Sequence, residues 1–287
     1  GMLTGVLGIG PALTATIFIP DRHHFRGSYS GKDIIPLWRD AEATEPNLTA
    51  GLVDKMEEAY GFSLKPEDIL AYAYALLATP AYVERYSEEL TIPGPRLPLT
   101  KNLDLFKRSV ALGRRLIWLH TYGERMVPDG HAQGVVPQGQ ARNTVAVPED
   151  REQYPEAFSY NEANKTLTVG SGAFAPVIKS VWEFSVSGLE VVRSWLRYRM
   201  KAGAGKKSSP LNDIRPEHWT FSEELLELLW VLEATVAMFP GLEANLEAIV
   251  ASDLFTEGEL PKPTEEEKKP PAVLRRSPGQ VDLNLEE

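Results

Sequence analysis

The chain has 287 residues, contains no cysteine and carries a formal net charge of −10. The lack of cysteine excludes disulfides and thiolate metal sites, and it fits a reducing, cytoplasmic environment. No apolar run approaches the roughly 18–20 residues that span a membrane, so we expect no membrane partner.

The negative charge is concentrated in one segment. Residues 216–261 contain ten acidic residues and no Lys or Arg, so the rest of the chain sums to zero. Residues 193–215 contain seven basic residues and one aspartate, a local charge of +6. Because a partner responds to the local field, the net charge does not exclude nucleic acid.

The N-terminal region predicts one strand and one polar loop. Ala12–Ile19 is apolar and β-branched, which favours a strand, and the loop PDRHHFRGSYSGKD follows it. The loop is either a solvated connector or a DNA contact in which basic residues pair with phosphates and an aromatic ring stacks. Adjacent histidines without a third ligand are weak evidence for a metal, so we expect none. The candidate DNA-binding residues of this loop are Arg22, His24, Arg26, Tyr29 and Lys32.

The next elements are predicted to be helical. Asn47–Tyr60 predicts a short helix, and Glu67–Leu90 has apolar residues at the spacing of one buried helical face. Pro66 suits a first helical position, whereas Pro80 should end or kink the helix.

A corner and a second long helix follow. Thr91–Thr100 has four prolines and should be an extended turn, since proline cannot continue a helix. Leu103–Tyr122 predicts an amphipathic helix, at whose end His120 is expected to pack rather than to act as an acid or base.

Residues 125–154 are rich in Gly, Pro and Gln and are predicted to be loop-dominated, with a short β-like piece at Thr144–Val147. Gln and Asn side chains can read adenine, and Arg can read guanine. The segment is therefore either a base-reading loop or a variable surface insertion. Its candidate residues are Gln138, Gln140, Arg142 and Asn143.

Phe158–Val177 predicts a β-hairpin, and Trp182–Val186 a further strand. A helix is expected to open at Ser187-Gly188, with basic residues at i, i+4 and i+8 on one face and a flexible basic loop after it. This basic face is either solvated surface or a phosphate contact. The candidates are Arg193, Arg197, Arg199, Lys201, Lys206 and Lys207.

The C-terminal region predicts two helices and a tail. Thr220–Glu223 fits a capping box before a nearly all-apolar, buried helix, and Gly241–Ala251 predicts a separate shorter helix. From Thr256 the chain is rich in proline and charge. We therefore expect one domain over residues 1–255 and a disordered or extended tail over residues 256–287.

Several blocks resemble, in the same order, the C-terminal specificity region of the large type ISP restriction–modification enzymes and, more distantly, the target-recognition regions of fused restriction enzyme–adenine methyltransferases. The first are PDRHHFRGSYSGKDIIPLWRD, the run DILAYAYALLATPAYVERYSEEL with the IPGPRLPLT corner, and LGRRLIWLHTYGER. The later ones are VWEFSVSGLEVVRSWLRYRM, SSPLNDIRPEHWT and ELLELLWVLEAT.

The resemblance implies a helix-rich α+β target-recognition domain with a small antiparallel sheet and long loops. It implies duplex DNA and the nuclease, helicase-like and N6-adenine methyltransferase parts as partners, with S-adenosylmethionine and ATP used by those parts. The sequence has no Asn/Asp-Pro-Pro-Tyr/Phe motif, Gly-rich cofactor loop or Walker motif, so we expect no catalysis and no bound cofactor or metal. The alternatives are a protein–protein scaffold, an inert fragment of a truncated restriction enzyme or, least favoured, a small-molecule enzyme.

Overall fold

The computed structural model describes residues 2–3, 11, 13–17, 33–34, 36–91, 96–205 and 214–269. Over these residues the fold is α+β, as predicted. The helices are α1 (Leu52–Tyr60), α2 (Pro66–Leu77), α3 (Pro80–Arg85), α4 (Leu103–His120), α5 (Lys179–Trp182), α6 (Val191–Arg197) and α7 (Ser222–Val250). The strands are β1 (Met2–Leu3), β2 (Asp33–Ile34), β3 (Arg142–Val145), β4 (Phe158–Asn161), β5 (Thr166–Val169), β6 (Gly172–Ala175), β7 (Ser185–Val186) and β8 (Leu189–Glu190).

All strand pairs among the described residues are antiparallel. A four-stranded sheet has the order β3-β6-β5-β4, and β1 pairs with β2 and β7 with β8. The predicted hairpin is confirmed as β4 and β5. The further strand predicted over Trp182–Val186 is limited to Ser185–Val186, because the preceding residues form the short helix α5.

The run Ala12–Ile19 was expected to be a strand, and this is wrong for residues 13–17, which have no regular secondary structure. Leu13 is buried in a helical core, and the Ala15 amide donates to the Tyr74 hydroxyl at 2.8 Å. This part of the chain therefore packs against helices and does not pair with a strand.

Helix α7 joins two hydrophobic cores. Its first half packs with the four-stranded sheet, α5 and α6 through residues such as Leu229, and its second half packs with α1, α2 and α4 through residues such as Leu246. The expectation of a separate helix at Gly241–Ala251 is wrong, because α7 continues through Pro240. Pro240 is exposed, and burial on both sides of it keeps the helix continuous.

The capping box predicted at Thr220–Glu223 does not form. Phe221 precedes the first helical residue of α7 and makes no side-chain cap bond. The Ser222 hydroxyl accepts a hydrogen bond from Trp219 Nε1 at 3.1 Å, so it is used to hold the indole.

By length and apolar composition alone, α7 is the one described helix that could cross a membrane. A core helix of a folded domain can have the same composition. Here the apolar residues of α7 contact both hydrophobic cores, and this packing accounts for the composition.

Tyrosines hold the proline-rich corner in place. Every second carbonyl from Arg96 to Thr100 accepts a hydrogen bond from a buried tyrosine hydroxyl. Tyr82 donates to Arg96, Tyr72 to Pro98 at 2.6 Å and Tyr60 to Thr100 at 2.5 Å. Prolines cannot donate backbone hydrogen bonds, so this extended segment cannot join a regular ladder. The tyrosine hydroxyls satisfy its carbonyls instead, and burial raises the pKa of Tyr82 to about 12.

Residues 256–269 form turns without helix or strand and lie against the N-terminal region. The Glu267 carboxylate accepts from the Ala50 amide at 2.8 Å, and Arg39 donates to the carbonyls of Glu267 and Lys269 at 3.0 and 2.8 Å. The hydrogen bond from Ala50 is the main reason that the pKa of Glu267 is lowered to about 2. The part of the predicted tail beyond residue 269 lies outside the described residues.

Helices α2 and α4 are in close backbone contact at Gly113. A Cβ atom at this buried position would lie 1.7 Å from the Ala71 carbonyl oxygen of α2. No side chain fits between the two backbones, so glycine fixes their separation.

A chain of hydrogen bonds links the N-terminal segment, α2, α4 and α7. The Tyr74 hydroxyl lies 2.6 Å from His120 Nδ1, and His120 Nε2 lies 3.0 Å from the Thr235 hydroxyl, which itself donates to the Val231 carbonyl. Because the Thr235 hydroxyl donates to Val231, it must accept from Nε2–H, and in the neutral imidazole Nδ1 then accepts from the Tyr74 hydroxyl. Burial lowers the pKa of His120 to about 4.

We predict that Gly113→Ala destabilises the domain by roughly 1–3 kcal/mol or more, because the added methyl group must separate α2 from α4. Gly241→Ala is the matched control, since it also lies in a helix but has no atom within 4 Å of its added Cβ. It should be neutral or stabilising by up to about 1 kcal/mol. Denaturant unfolding of both variants tests this, and equal stabilities would contradict it.

The second prediction concerns pH. Because the pKa of His120 is lower in the fold than in the unfolded chain, unfolding is favoured as pH falls from about 6.5 to about 4. In His120→Gln the loss of unfolding free energy over this range should be smaller by on the order of 1–3 kcal/mol. The exposed His218, changed to Gln, serves as the matched histidine control. Parallel profiles for the parent and His120→Gln would contradict the assignment.

Candidate nucleic-acid interface

The loop Gln138–Asn143 leads from a small hydrophobic cluster into the edge strand β3. The cluster contains the buried Val136, Trp118 and Leu119 with Val231 of α7. Within the loop, the side chains of Gln138, Gln140 and Arg142 are exposed, whereas Ala141 is fully buried. The loop thus combines an anchored backbone with exposed polar side chains.

Two side chains of α7 hold this backbone. Glu233 accepts hydrogen bonds from the amides of Gln140 at 2.6 Å and Ala141 at 3.1 Å. Trp230 Nε1 donates to the Ala141 carbonyl at 2.8 Å. Three backbone groups of two consecutive residues are therefore bound by one turn of one helix.

The Arg142 side chain lies over the backbone that Glu233 and Trp230 hold. Its Nη1 donates to the carbonyls of Gly139 at 2.7 Å and Ala141 at 2.8 Å, and the guanidinium carbon is 5.8 Å from the centre of the Trp230 ring. Within the described residues no carboxylate forms an ion pair with Arg142. The guanidinium keeps donors on its other nitrogens, which a bidentate contact requires.

The amide of Asn143 is used within the sheet. In the orientation that satisfies its neighbours, its nitrogen donates to the carbonyls of Ala173 at 3.1 Å and Val145 at 2.5 Å. Its role as a base reader stays a prediction, and a base contact would have to replace these bonds.

The expected helix from Leu189 onward with basic residues on one face is shorter than predicted. Leu189–Glu190 forms β8, paired with β7 across a turn in which Ser187 and Gly188 have φ of 46° and 78°. Helix α6 ends at Arg197, and the Lys201 amide donates to the Pro155 carbonyl at 2.8 Å instead of continuing the helix. Lys201 therefore does not share a helical face with Arg193 and Arg197.

Carboxylates already pair with these basic residues. Glu190 pairs with both Arg193 and Arg197, the latter at 3.5 Å, and Glu156 binds Lys201 at 2.6 Å. The Arg193 guanidinium also lies 4.6 Å from the centre of the Trp182 ring. A phosphate contact by any of them stays a prediction, and it would compete with an existing ion pair.

The Arg199 side chain packs against two aromatic rings. Its guanidinium lies 3.8 Å from the Trp195 ring and 5.3 Å from the Phe221 ring, and it pairs with Glu224 at 3.6 Å. Desolvation by this packing is the largest effect on its pKa, which is lowered. The geometry gives Arg199 a packing role, while its predicted DNA contact stays untested.

A polar pocket of about 450 Å³ brings together three basic residues that are far apart in sequence, Arg151, Lys201 and Arg215. Tyr154 and Glu217 also line it, and Glu217 lies 3.4 Å from Arg151. Lys201 was predicted as a contact, but Arg151 and Arg215 were missed. Arg215 belongs to the basic segment 193–215, but no local sequence pattern indicates Arg151, and only the fold places both arginines beside Lys201.

The remaining candidates lie outside the described residues. They are Arg22, His24, Arg26, Tyr29 and Lys32 of the N-terminal loop, and Lys206 and Lys207 of the basic loop.

Residues 3–229 match the family of the Type ISP C-terminal specificity domain, and this match covers more than half of the chain. The chain therefore belongs to this family, which confirms the resemblance. The family is that of a specificity domain, and DNA target recognition in a restriction–modification system is the role that this membership supports.

A solved structure agrees with the fold. The cryoEM structure of a DrdV–DNA complex is similar with a TM-score of 0.55 and 18% identity over 90% of this chain and 24% of that chain. The ATP-dependent Type ISP restriction-modification enzyme LlaBIII bound to DNA matches less well, with a TM-score of 0.43 and 16% identity over 64% of this chain and 11% of that chain. The chain thus spans about a quarter of the length of DrdV. No curated protein matches it significantly.

The packing of Arg199 gives a prediction about stability. Arg199→Lys should lower the free energy of unfolding by about 1–2 kcal/mol, because a lysine cannot stack its head group flat on Trp195. Arg197→Lys, which changes a more exposed arginine with one 3.5 Å ion pair, should cost less than about 0.5 kcal/mol. Chemical unfolding of both variants checks this, and an equal cost would show that the aromatic packing of Arg199 adds no stability.

Proposed function

We propose that this domain binds a specific duplex sequence and holds it for an adenine methyltransferase part of the same enzyme or of a partner chain. The observation that carries the proposal is the loop Gln138–Asn143, whose exposed Gln138, Gln140 and Arg142 extend from a backbone fixed to α7. Glutamine and arginine are the side chains that read adenine and guanine by paired hydrogen bonds in the major groove.

Affinity in this proposal comes from phosphate contacts. Arg151, Lys201 and Arg215 line one pocket, where a backbone phosphate could be bound by several donors. Glu156 and Glu217 would exchange their ion pairs with Lys201 and Arg151 for solvent when phosphate binds. The candidates of the N-terminal and basic loops would add further contacts.

The domain itself would not catalyse. In this proposal, S-adenosylmethionine and ATP are used by the methyltransferase and helicase-like parts of the larger enzyme, which the neighbours' much greater length accommodates. The proposed site of action is the cytoplasm. A protein–protein scaffold is the competing function, and it differs in requiring no affinity for duplex DNA.

Titration of a fluorescent random duplex at several salt concentrations tests the phosphate contacts. Log affinity should fall with log salt, and Arg151→Ala combined with Arg215→Ala should flatten the slope by about 1–2, since each phosphate contact contributes roughly 0.9. Arg108→Ala is the control, because it removes an exposed charge from α4, a helix that contributes no residue to the pocket. Absence of duplex binding even at low salt would favour the scaffold function. An unchanged slope in the double variant would show that the pocket makes no phosphate contact.

The same titrations on a cognate and a scrambled duplex test the base contacts. Arg142→Ala should lower discrimination by about 1–3 kcal/mol and leave the slope on scrambled DNA unchanged, because a base contact adds specificity and not counterion release. Arg108→Ala should discriminate like the parent. If Arg142→Ala discriminates between the two duplexes as well as the parent does, Arg142 makes no specific base contact.

A further inference from the structure

We propose that Glu233 and Trp230 are positioning residues for sequence discrimination, which hold the loop Gln138–Asn143 in the conformation that reads bases. This inference rests on the proposed function and adds to it the part of the fold that fixes the reader. Neither residue needs to touch DNA in this role.

Both oxygens of the Glu233 carboxylate are hydrogen-bonded to the loop. One oxygen accepts from the Gln140 amide at 2.6 Å and the other from the Ala141 amide at 3.1 Å. Hydrogen bonds to a charged acceptor are about twice as strong as neutral ones. Two of them on consecutive amides restrain both the position and the orientation of this piece of backbone.

Trp230 adds a third restraint from the same face of α7. It lies one turn before Glu233, so both side chains project towards the same loop. Its indole N–H binds the Ala141 carbonyl at 2.8 Å, and Arg142 lies over its ring with the guanidinium carbon 5.8 Å from the centre. Trp230 thus restrains both the backbone before Arg142 and the side chain of Arg142.

Glycine at position 139 makes the close approach possible. A Cβ atom there would lie 2.1 Å from Glu233 Oε2 and 2.8 Å from Trp230 Cδ1. The loop is therefore fitted against both α7 residues at once, and any side chain at 139 would displace either the loop or the Glu233 carboxylate that holds it.

The position of Glu233 is otherwise unfavourable in a DNA-binding protein. An acidic side chain beneath a loop that approaches phosphates would repel them. The dipoles of the two amides partly offset this repulsion, and a positioning role explains why a carboxylate lies there.

Amide hydrogen exchange of the full chain without DNA tests the restraint itself. Exchange at Gln140 and Ala141 should be at least about tenfold faster in Glu233→Ala than in the parent, since both acceptors are lost. Glu233→Gln keeps one carbonyl acceptor and should give an intermediate rate. Parent-like exchange in Glu233→Ala would overturn the proposal.

Discrimination tests the functional consequence. The probe is the duplex that the parent enriches from a random library, compared with its scrambled form. Glu233→Ala and Trp230→Phe, which keeps the ring but removes the N–H donor, should each lower the affinity ratio about tenfold, the effect of losing one good base contact. The affinity for scrambled DNA and its salt slope should be unchanged, whereas a general loss of folded protein would lower the apparent affinity for both duplexes by the same factor.

Gly139→Ala provides a variant that leaves α7 intact. It should lower the affinity ratio as Glu233→Ala does, whereas Gly258→Ala, where an added Cβ meets nothing within 4 Å, should behave like the parent. Parent-like affinity ratios in Glu233→Ala, Trp230→Phe and Gly139→Ala would overturn the positioning role. Failure of the parent itself to enrich any duplex would instead overturn the proposed function, so the two failures are distinguishable.

Discussion

The burial of α7 against both hydrophobic cores is the constraint on which the rest of the structure depends. One core is formed by the four-stranded sheet with α5 and α6, and the other by α1, α2 and α4. Because a single 29-residue helix contributes to both, neither core can shift without moving the other. The proline at position 240 is tolerated inside the helix since the packing on both sides exceeds the loss of one hydrogen bond.

Irregular segments of this fold are held by side chains from helices. Tyrosine hydroxyls bind alternate carbonyls of the proline-rich corner, and Glu233 with Trp230 binds the loop before β3. Buried or ordered backbone groups need partners, and a loop has no ladder to supply them. The result is long loops with a fixed backbone, which a protein needs when exposed side chains must meet the edges of bases.

Much of the helical framework could be predicted from the sequence. The period of the apolar residues and the prolines at 66 and 80 gave α2 and the start of α3 correctly, but α3 ends at Arg85 and not at the predicted Leu90. Helix α4 ends close to the expected residue. The hairpin of β4 and β5 followed from its alternation and turn. These signals are local, so they survive without knowledge of the tertiary contacts.

The errors have tertiary causes. The sequence periodicity placed Lys201 on one helical face with Arg193 and Arg197. In the structure α6 has already ended, and the Lys201 amide binds the carbonyl of Pro155, a residue far away in sequence. Proline 240 looked like a helix end because the cores on either side of it are not visible in the local sequence. Arg151 and Arg215 were missed for the same reason, since the fold alone places them beside Lys201.

The charge distribution also changes meaning in three dimensions. The acidic segment does not form one repulsive surface, because several of its carboxylates pair with basic residues of other elements. Glu247 binds Arg85 at 2.7 Å, and Glu259 binds Lys101 at 2.8 Å. The local charge of +6 at residues 193–215 is likewise reduced by Glu190 and Glu156. Counting charges along the sequence therefore overestimated the contrast between the two segments.

The central claim is that the loop anchored on α7 reads the DNA sequence. A structure of the chain bound to the duplex it enriches most strongly from a random library tests this most directly. The account predicts that Gln138, Gln140 or Arg142 lies within hydrogen-bonding distance of base edges in the major groove, with Glu233 still bound to the amides of Gln140 and Ala141. A complex in which this loop faces solvent, and the bases are contacted from elsewhere in the domain, would contradict it.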